Sequence, residues 1–221
     1  MNESQVPAEL LAAIKRDLRS VRPLANPARR ALALVPLAAT LLIGSPLYWG
    51  WRSNLNQLTP LASWGLSALE AVAGLVILAA GFREAVPGRE ISTRGLVALW
   101  CASLIGFVLV MHVTHALLPT VTPAGVEVRY AWECVGMAVA FSVPALALPA
   151  WLVARALPTR PAMTGALCGL GVGLMEDAGV RLFCWVTEPT HVLVAHGGAI
   201  VLLIVLGAAC ATFVERIKHR R

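Results

Sequence analysis

The sequence predicts an all-α integral membrane protein with six transmembrane helices, and three observations carry that prediction. Of 221 residues, 58% are hydrophobic and only 14% are charged. Ordinary globular domains carry roughly 25% charged residues, and so few charges cannot cover a water-facing surface. The apolar residues gather into six runs of about 20, the length that crosses a hydrocarbon core of about 30 Å. The 18 Lys and Arg residues fall on alternate connections. Six lie in residues 1–30, three in 83–94, two in 155–160 and four in the tail, whereas Arg52, Arg129 and Arg181 are alone on the other side. The positive-inside rule therefore places both the N and C termini in the cytoplasm.

Three parts follow in order: an amphipathic cytoplasmic arm (1–30), a six-helix bundle (31–214) and a basic tail (215–221). In the arm, Leu11, Ile14, Leu18 and Val21 recur at helical spacing with Lys15, Arg16, Arg19 and Arg22 on other faces; Pro23 ends the helix, and Asn26-Pro27 breaks the chain again. Such a helix suits a basic surface on anionic lipid or a dock for a soluble partner. The first apolar run is followed by Trp49 and Trp51, not by a small-residue cleavage site, so it is expected to be a retained anchor.

The spans are expected at 31–50, 61–82, 95–117, 134–154, 162–182 and 192–214. Glu70 interrupts the second and must face a helix partner, water or the bundle interior. Pro144 and Pro149 are expected to kink the fourth. The fifth contains Gly165, Gly169, Gly171, Gly173 and Gly179. This resembles a glycine-rich nucleotide loop, but inside an apolar helix it serves close packing. Trp49, Trp51, Trp132, Trp151 and Trp185 lie near span ends, as an aromatic belt requires.

Chemistry concentrates at the outer ends. Cys101, Cys168 and Cys210 lie within apolar spans, where cysteine acts as a small hydrophobe. Cys134 and Cys184 differ. They lie 24 residues before and 26 after Pro158, the centre of a short inner connection, and at about 1.5 Å per residue both climb roughly 36–39 Å. Both thiols thus reach the outer surface on neighbouring helices. Glu133, His115, His191 and His196 are expected at the same level as auxiliary ligands, since thiolate and imidazole suit soft or borderline metals. Three roles remain open for the pair: a constitutive disulfide, a redox- or metal-responsive switch, or a disulfide-exchange centre. The last usually shows Cys-x-x-Cys, which is absent. Glu70, Glu176 and Asp177 could instead mark an ion or proton path, a thin basis for a transporter. No Walker loop or HExxH motif occurs.

Several stretches resemble the NrsF-type bacterial membrane anti-sigma factors, negative regulators of an extracytoplasmic-function sigma factor. These are Asp17-Leu-Arg-Ser-Val-Arg-Pro-Leu with Arg29-Arg30, Trp132-Glu133-Cys134, Pro161 to Leu170, Arg181-Leu-Phe-Cys184, and His191-Val-Leu-Val-Ala-His196-Gly-Gly. The resemblance implies a multi-pass protein of the bacterial inner membrane and a regulator, not an enzyme. It implies that Asp17, Leu18, Val21, Arg22, Pro23 and Leu24 bind the sigma factor, with no direct contact to nucleic acid. It implies that Cys134 and Cys184 sense metal or oxidative stress. No resident cofactor is expected, only transient metal at Cys134 and Cys184. A membrane thiol-disulfide or redox enzyme is the alternative.

Overall fold

A computed structural model describes residues 7–17, 23–120 and 126–219. Every regular element among them is helical: α1 (Ala8–Asp17), α2 (Pro27–Leu32), α3 (Val35–Trp49), α4 (Leu66–Glu84), α5 (Thr93–Leu117), α6 (Val126–Ala154), α7 (Pro161–Phe183), the short α8 (Pro189–His191) and α9 (Gly198–His219). A π-helical turn at Leu61–Gly65 leads into α4, and another at Val192–Gly197 joins α8 to α9.

Five stretches are long and apolar enough to cross a membrane: Pro27–Trp49, Leu61–Glu84, Thr93–Leu117, Tyr130–Ala154 and Pro189–Lys218. Large apolar side chains on their outer faces, such as Leu69, Val76, Leu104, Leu109, Val201 and Val205, are exposed. A belt of that size has no place in water, and lipid is its natural cover. The expected fifth span is the exception. Its glycines, Glu176, Asp177 and Arg181 leave α7 too polar to count as an apolar crossing. Instead it runs through the middle of the bundle and packs on α3, α4, α6 and α9. Every residue from Leu167 to Phe183 is buried.

Two glycines show how α7 fits there. A Cβ on Gly169 would lie 2.1 Å from the Leu203 carbonyl oxygen, and one on Gly165 would lie 2.1 Å from that of Gly207. The backbones of α7 and α9 touch, and any side chain would force them apart.

The ends of the elements follow local chemistry. Asn26 accepts from the Ala28 amide and Pro27 opens α2; Ser92 accepts from the Gly95 amide and caps α5. Gly50, at φ +97°, ends α3. At the start of α7, Arg160 pairs with the fully buried Glu84 at 2.5 Å and donates to the Ile91 carbonyl at 2.9 Å, while the Thr159 hydroxyl donates to Glu90 at 2.9 Å. These contacts tie the α4–α5 connection to the α6–α7 connection. Hydrogen bonds from Thr159 and local backbone amides, the backbone amide of Glu90 itself foremost, hold the Glu90 carboxyl below its usual range.

Two expected boundaries shift. The arm was expected to end at residue 30, but α2 already belongs to the bundle. Arg30 is buried, stacks 4.6 Å above the Phe82 ring and donates to the Leu152 carbonyl. A guanidinium so placed donates to a carbonyl near the end of α6 while its own plane lies over an aromatic face. The fourth span was expected to begin at Cys134. Helix α6 begins at Val126, so Cys134 lies two turns inside the helix and not in front of it. Pro144 and Pro149 both sit within α6.

Candidate functional site

The C-terminal end of α7 is held by Arg52, which in the sequence stands out only as a charge. The Arg52 amide donates to the Leu182 carbonyl at 3.0 Å, and its guanidinium donates to the carbonyls of Arg181 at 3.2 Å and Trp185 at 3.4 Å. The last carbonyls of a helix lack intrahelical partners and carry partial negative charge, so a buried cation there fixes where the chain leaves the helix. Asn54 holds the Arg52 Nε at 2.6 Å. Cys184 is the C-cap residue, with its amide still bonded to the Val180 carbonyl at 2.7 Å. The loop beyond is pinned by Thr187, whose amide donates to the Thr120 hydroxyl at 2.8 Å and whose hydroxyl donates to the Leu118 carbonyl at 2.6 Å.

Against this fixed end, α6 presents Cys134. The two sulfurs are 3.6 Å apart and both residues are buried. Cys184 Sγ is also 3.6 Å from His191 Nε2. The second histidine arrives through the π-helical turn. In an α-helix, residues five apart are rotated by about 140° (3.6 residues per turn). A π turn with i→i+5 bonding brings them back onto one side. His191 and His196 are such a pair, and their ring centroids are 5.8 Å apart. His196 Nδ1 lies 2.7 Å from Asp177 Oδ1, which leaves its Nε2 facing the thiols. The ligand atoms of Cys134, Cys184, His191 and His196 all lie within 4.8 Å of one another.

Inward from this cluster runs a chain of buried polar groups. Arg181 Nε lies 3.8 Å from Glu70 Oε2, and Arg181 Nη1 donates to the Val110 carbonyl at 3.4 Å. Ser45 Oγ donates to Glu176 Oε1 at 3.0 Å. The expectation that Glu70 faces a partner inside the bundle therefore meets Arg181. Charges this deep are tolerated because they are enclosed by other helices and meet partners there.

Of the expected site residues, the structure brings together Cys134, Cys184, His191 and His196. His115, on α5, and the exposed Glu133, beside Cys134, do not belong to the group. Sequence reasoning missed two contributors. Asp177 reads from sequence as a polar neighbour of Cys184 or part of an ion path, not as a support for a histidine, and Arg52 carries no signal beyond its charge. A clue for Asp177 existed: seven residues before Cys184 on a helix, it lies two turns below the thiol on nearly the same face. The residues expected to bind the partner divide. Leu18, Val21 and Arg22 lie outside the described residues, while Asp17, Pro23 and Leu24 are exposed.

A protein-family model described as "Negative regulator of sigma F" (NrsF) matches residues 14–216. The chain belongs to this family. Family membership implies a regulator, with a sigma factor as its partner. Searches of curated proteins and of solved structures gave no match.

Proposed function

We propose that this NrsF-family chain is an anti-sigma factor of the bacterial inner membrane. It holds an extracytoplasmic-function sigma factor in the cytoplasm and releases it when the Cys134–Cys184 pair meets metal or oxidative stress on the other side. The observation that carries this reading is the meeting of two thiols, 50 residues apart in sequence and 3.6 Å apart in space, on one side of a bundle with apolar outer faces. The distribution of Lys and Arg puts both termini in the cytoplasm and the thiol cluster outside. With α7 as an enclosed sixth crossing, 23 residues or about 34 Å long, that orientation is consistent along the whole chain.

The sigma factor docks on the arm, through Asp17, Leu18, Val21, Arg22, Pro23 and Leu24. The arm precedes α2 and α3 in the chain, and the far end of α3 and the loop after it meet α7, which carries Cys184 at its end, through Ser45–Glu176 and Arg52. Movement at the outer end of α7 therefore has a physical route to the arm. A switch from mostly bound to mostly free requires about 5.5 kcal/mol of differential affinity. Closing a cross-link between helices is worth about 2–4 kcal/mol, so the pair supplies a large share of that difference. Thiol exchange with a protein disulfide finds less support, since each sulfur-bearing residue is only 6% exposed and attack needs access.

Pull-down from membranes tests the docking. Full-length protein should retain a sigma factor, and a chain lacking residues 1–24 should lose it; equal retention would move the docking site elsewhere. The Cys134→Ser/Cys184→Ser double variant should hold the sigma factor without releasing it on exposure to metal or oxidant. Normal release from that variant would remove the sensor role.

A further inference from the structure

The cluster holds more than two thiols, and its geometry is specific. Two sulfur and two imidazole ligands are the set that selects zinc-class ions over harder ones. Zinc binds sulfur at about 2.3 Å and nitrogen at about 2.0 Å in a tetrahedron, whose sulfur–sulfur and sulfur–nitrogen edges are then about 3.8 and 3.5 Å. Cys134 Sγ–Cys184 Sγ and Cys184 Sγ–His191 Nε2 are each 3.6 Å. The fourth donor atom, His196 Nε2, is on a residue only 4% exposed and has no hydrogen-bond partner. Its other ring nitrogen meets Asp177 Oδ1 at 2.7 Å. A carboxylate in that position fixes the tautomer and orientation of a metal-ligating histidine.

We propose that Cys134, Cys184, His191 and His196 form a closed tetrahedral site for a thiophilic divalent ion with a filled d shell, of the zinc and cadmium class, and that Asp177 positions His196 to receive it. This rests on the sensor reading above and narrows it from metal or oxidant to metal coordination. Binding is an exchange without change of oxidation state: the ion forms bonds to two sulfurs and two nitrogens, and the two thiol protons leave to solvent. Two thiolates neutralise the divalent charge, so the occupied centre is neutral, as burial demands. Four protein ligands leave no open position, so the site binds and clamps without catalysing. The ion joins three elements: α6 through Cys134, the end of α7 through Cys184, and the turn leading into α9 through both histidines.

The test uses the full-length protein in detergent with Co2+ as a spectroscopic probe. One Co2+ per chain should bind, with the strong visible bands of a tetrahedral site and thiolate charge-transfer bands, and Zn2+ should displace it. His191→Ala and His196→Ala should each weaken binding at least 100-fold. Asp177→Asn, nearly the same shape, should weaken it about 10–100-fold. No binding beyond that of the Cys134→Ser/Cys184→Ser variant, or spectra unchanged by both histidine substitutions, would overturn the proposal. X-ray absorption of the zinc-loaded wild-type protein does not depend on any variant folding. It should show two sulfur and two nitrogen neighbours, and a shell lacking either would also overturn the proposal. Sigma-factor retention, measured on the same preparations, separates the two ideas. Retention and oxidant-triggered release by protein that binds no Co2+ would sink the metal site and leave the anti-sigma reading standing. Co2+ binding without sigma-factor retention would do the reverse.

Discussion

Helices α5 and α7 are similar in length, 25 and 23 residues, and opposite in almost everything else. Helix α5 qualifies as an apolar crossing, yet only Leu96, Phe107, Met111 and Thr114 on it are buried. Helix α7 carries a glutamate, an aspartate and an arginine, fails as an apolar crossing, and is buried along nearly its whole length. In water the more apolar helix would lie inside. Here the solvent for the outer face is hydrocarbon, so apolarity is spent on the outside and the centre can hold what lipid cannot. The lesson for function is that the polar helix is the one that delivers Cys184, Asp177 and the contacts of Arg52.

The sharpest way to break this contrast is to add a side chain to each helix. Gly169→Leu should abolish folded protein, because even its Cβ would collide with the α9 backbone. The loss should exceed about 4–5 kcal/mol, the range reserved for such defects, and show as absence of a monodisperse species in detergent. Gly106→Ala, on α5, meets nothing within 4 Å and should leave the melting temperature unchanged or slightly raised. Equal damage from both would mean that α7 is not the packed centre.

Next in size is the buried charge pair. Arg181→Leu leaves Glu70 enclosed without its cation and should cost about 3–5 kcal/mol. Glu70→Leu combined with Arg181→Leu should recover much of that, since an apolar pair of similar volume is tolerated. Thermal unfolding of the three proteins in one detergent measures it, and a double variant no more stable than Arg181→Leu would show that the pair is not what matters. Arg52→Ala should be milder, about 1–3 kcal/mol for the carbonyls it leaves unpaired, and should speed maleimide labelling of Cys184. Unchanged labelling would show that the loop holds its place without Arg52.

The smallest effect belongs to the α4–α5 and α6–α7 connections, which Thr159 and Arg160 tie together. Glu90 has a depressed folded-state pKa. The stability it contributes is therefore present above its ordinary value near 4.5 and is lost as pH falls through the lower folded value. Thr159→Ala removes one of the hydrogen bonds responsible, so the Glu90 titration followed by NMR should move up toward the ordinary value. No movement would mean that the backbone amides alone set it.

Much of this was legible beforehand because one-dimensional signals suffice for it. Run length and Lys/Arg placement gave the helices, and equal distance from Pro158 brought Cys134 and Cys184 to one level. The histidines were harder. His115, His191 and His196 look alike in sequence, all near span ends. What separates His191 and His196 is a π turn, a local change of helical pitch that depends on how α9 packs and has no firm residue signature. Arg52 was opaque for a related reason: its partners are backbone carbonyls about 130 residues away, and a carbonyl carries no residue identity to read.

The sequence by itself determined that this is an all-helical chain with apolar crossings, a basic side and two cysteines at matching depth. Those properties follow from composition and rise per residue, which do not depend on neighbours. Only the tertiary structure decided that α7 is the axis of the bundle, that Cys134 lies inside a helix and not at its start, and that two of three candidate histidines face the thiols. Those are matters of rotation about helix axes, and rotation is set by which faces pack. Gly165 and Gly169 fix it for α7 by pressing one face of that helix onto α9.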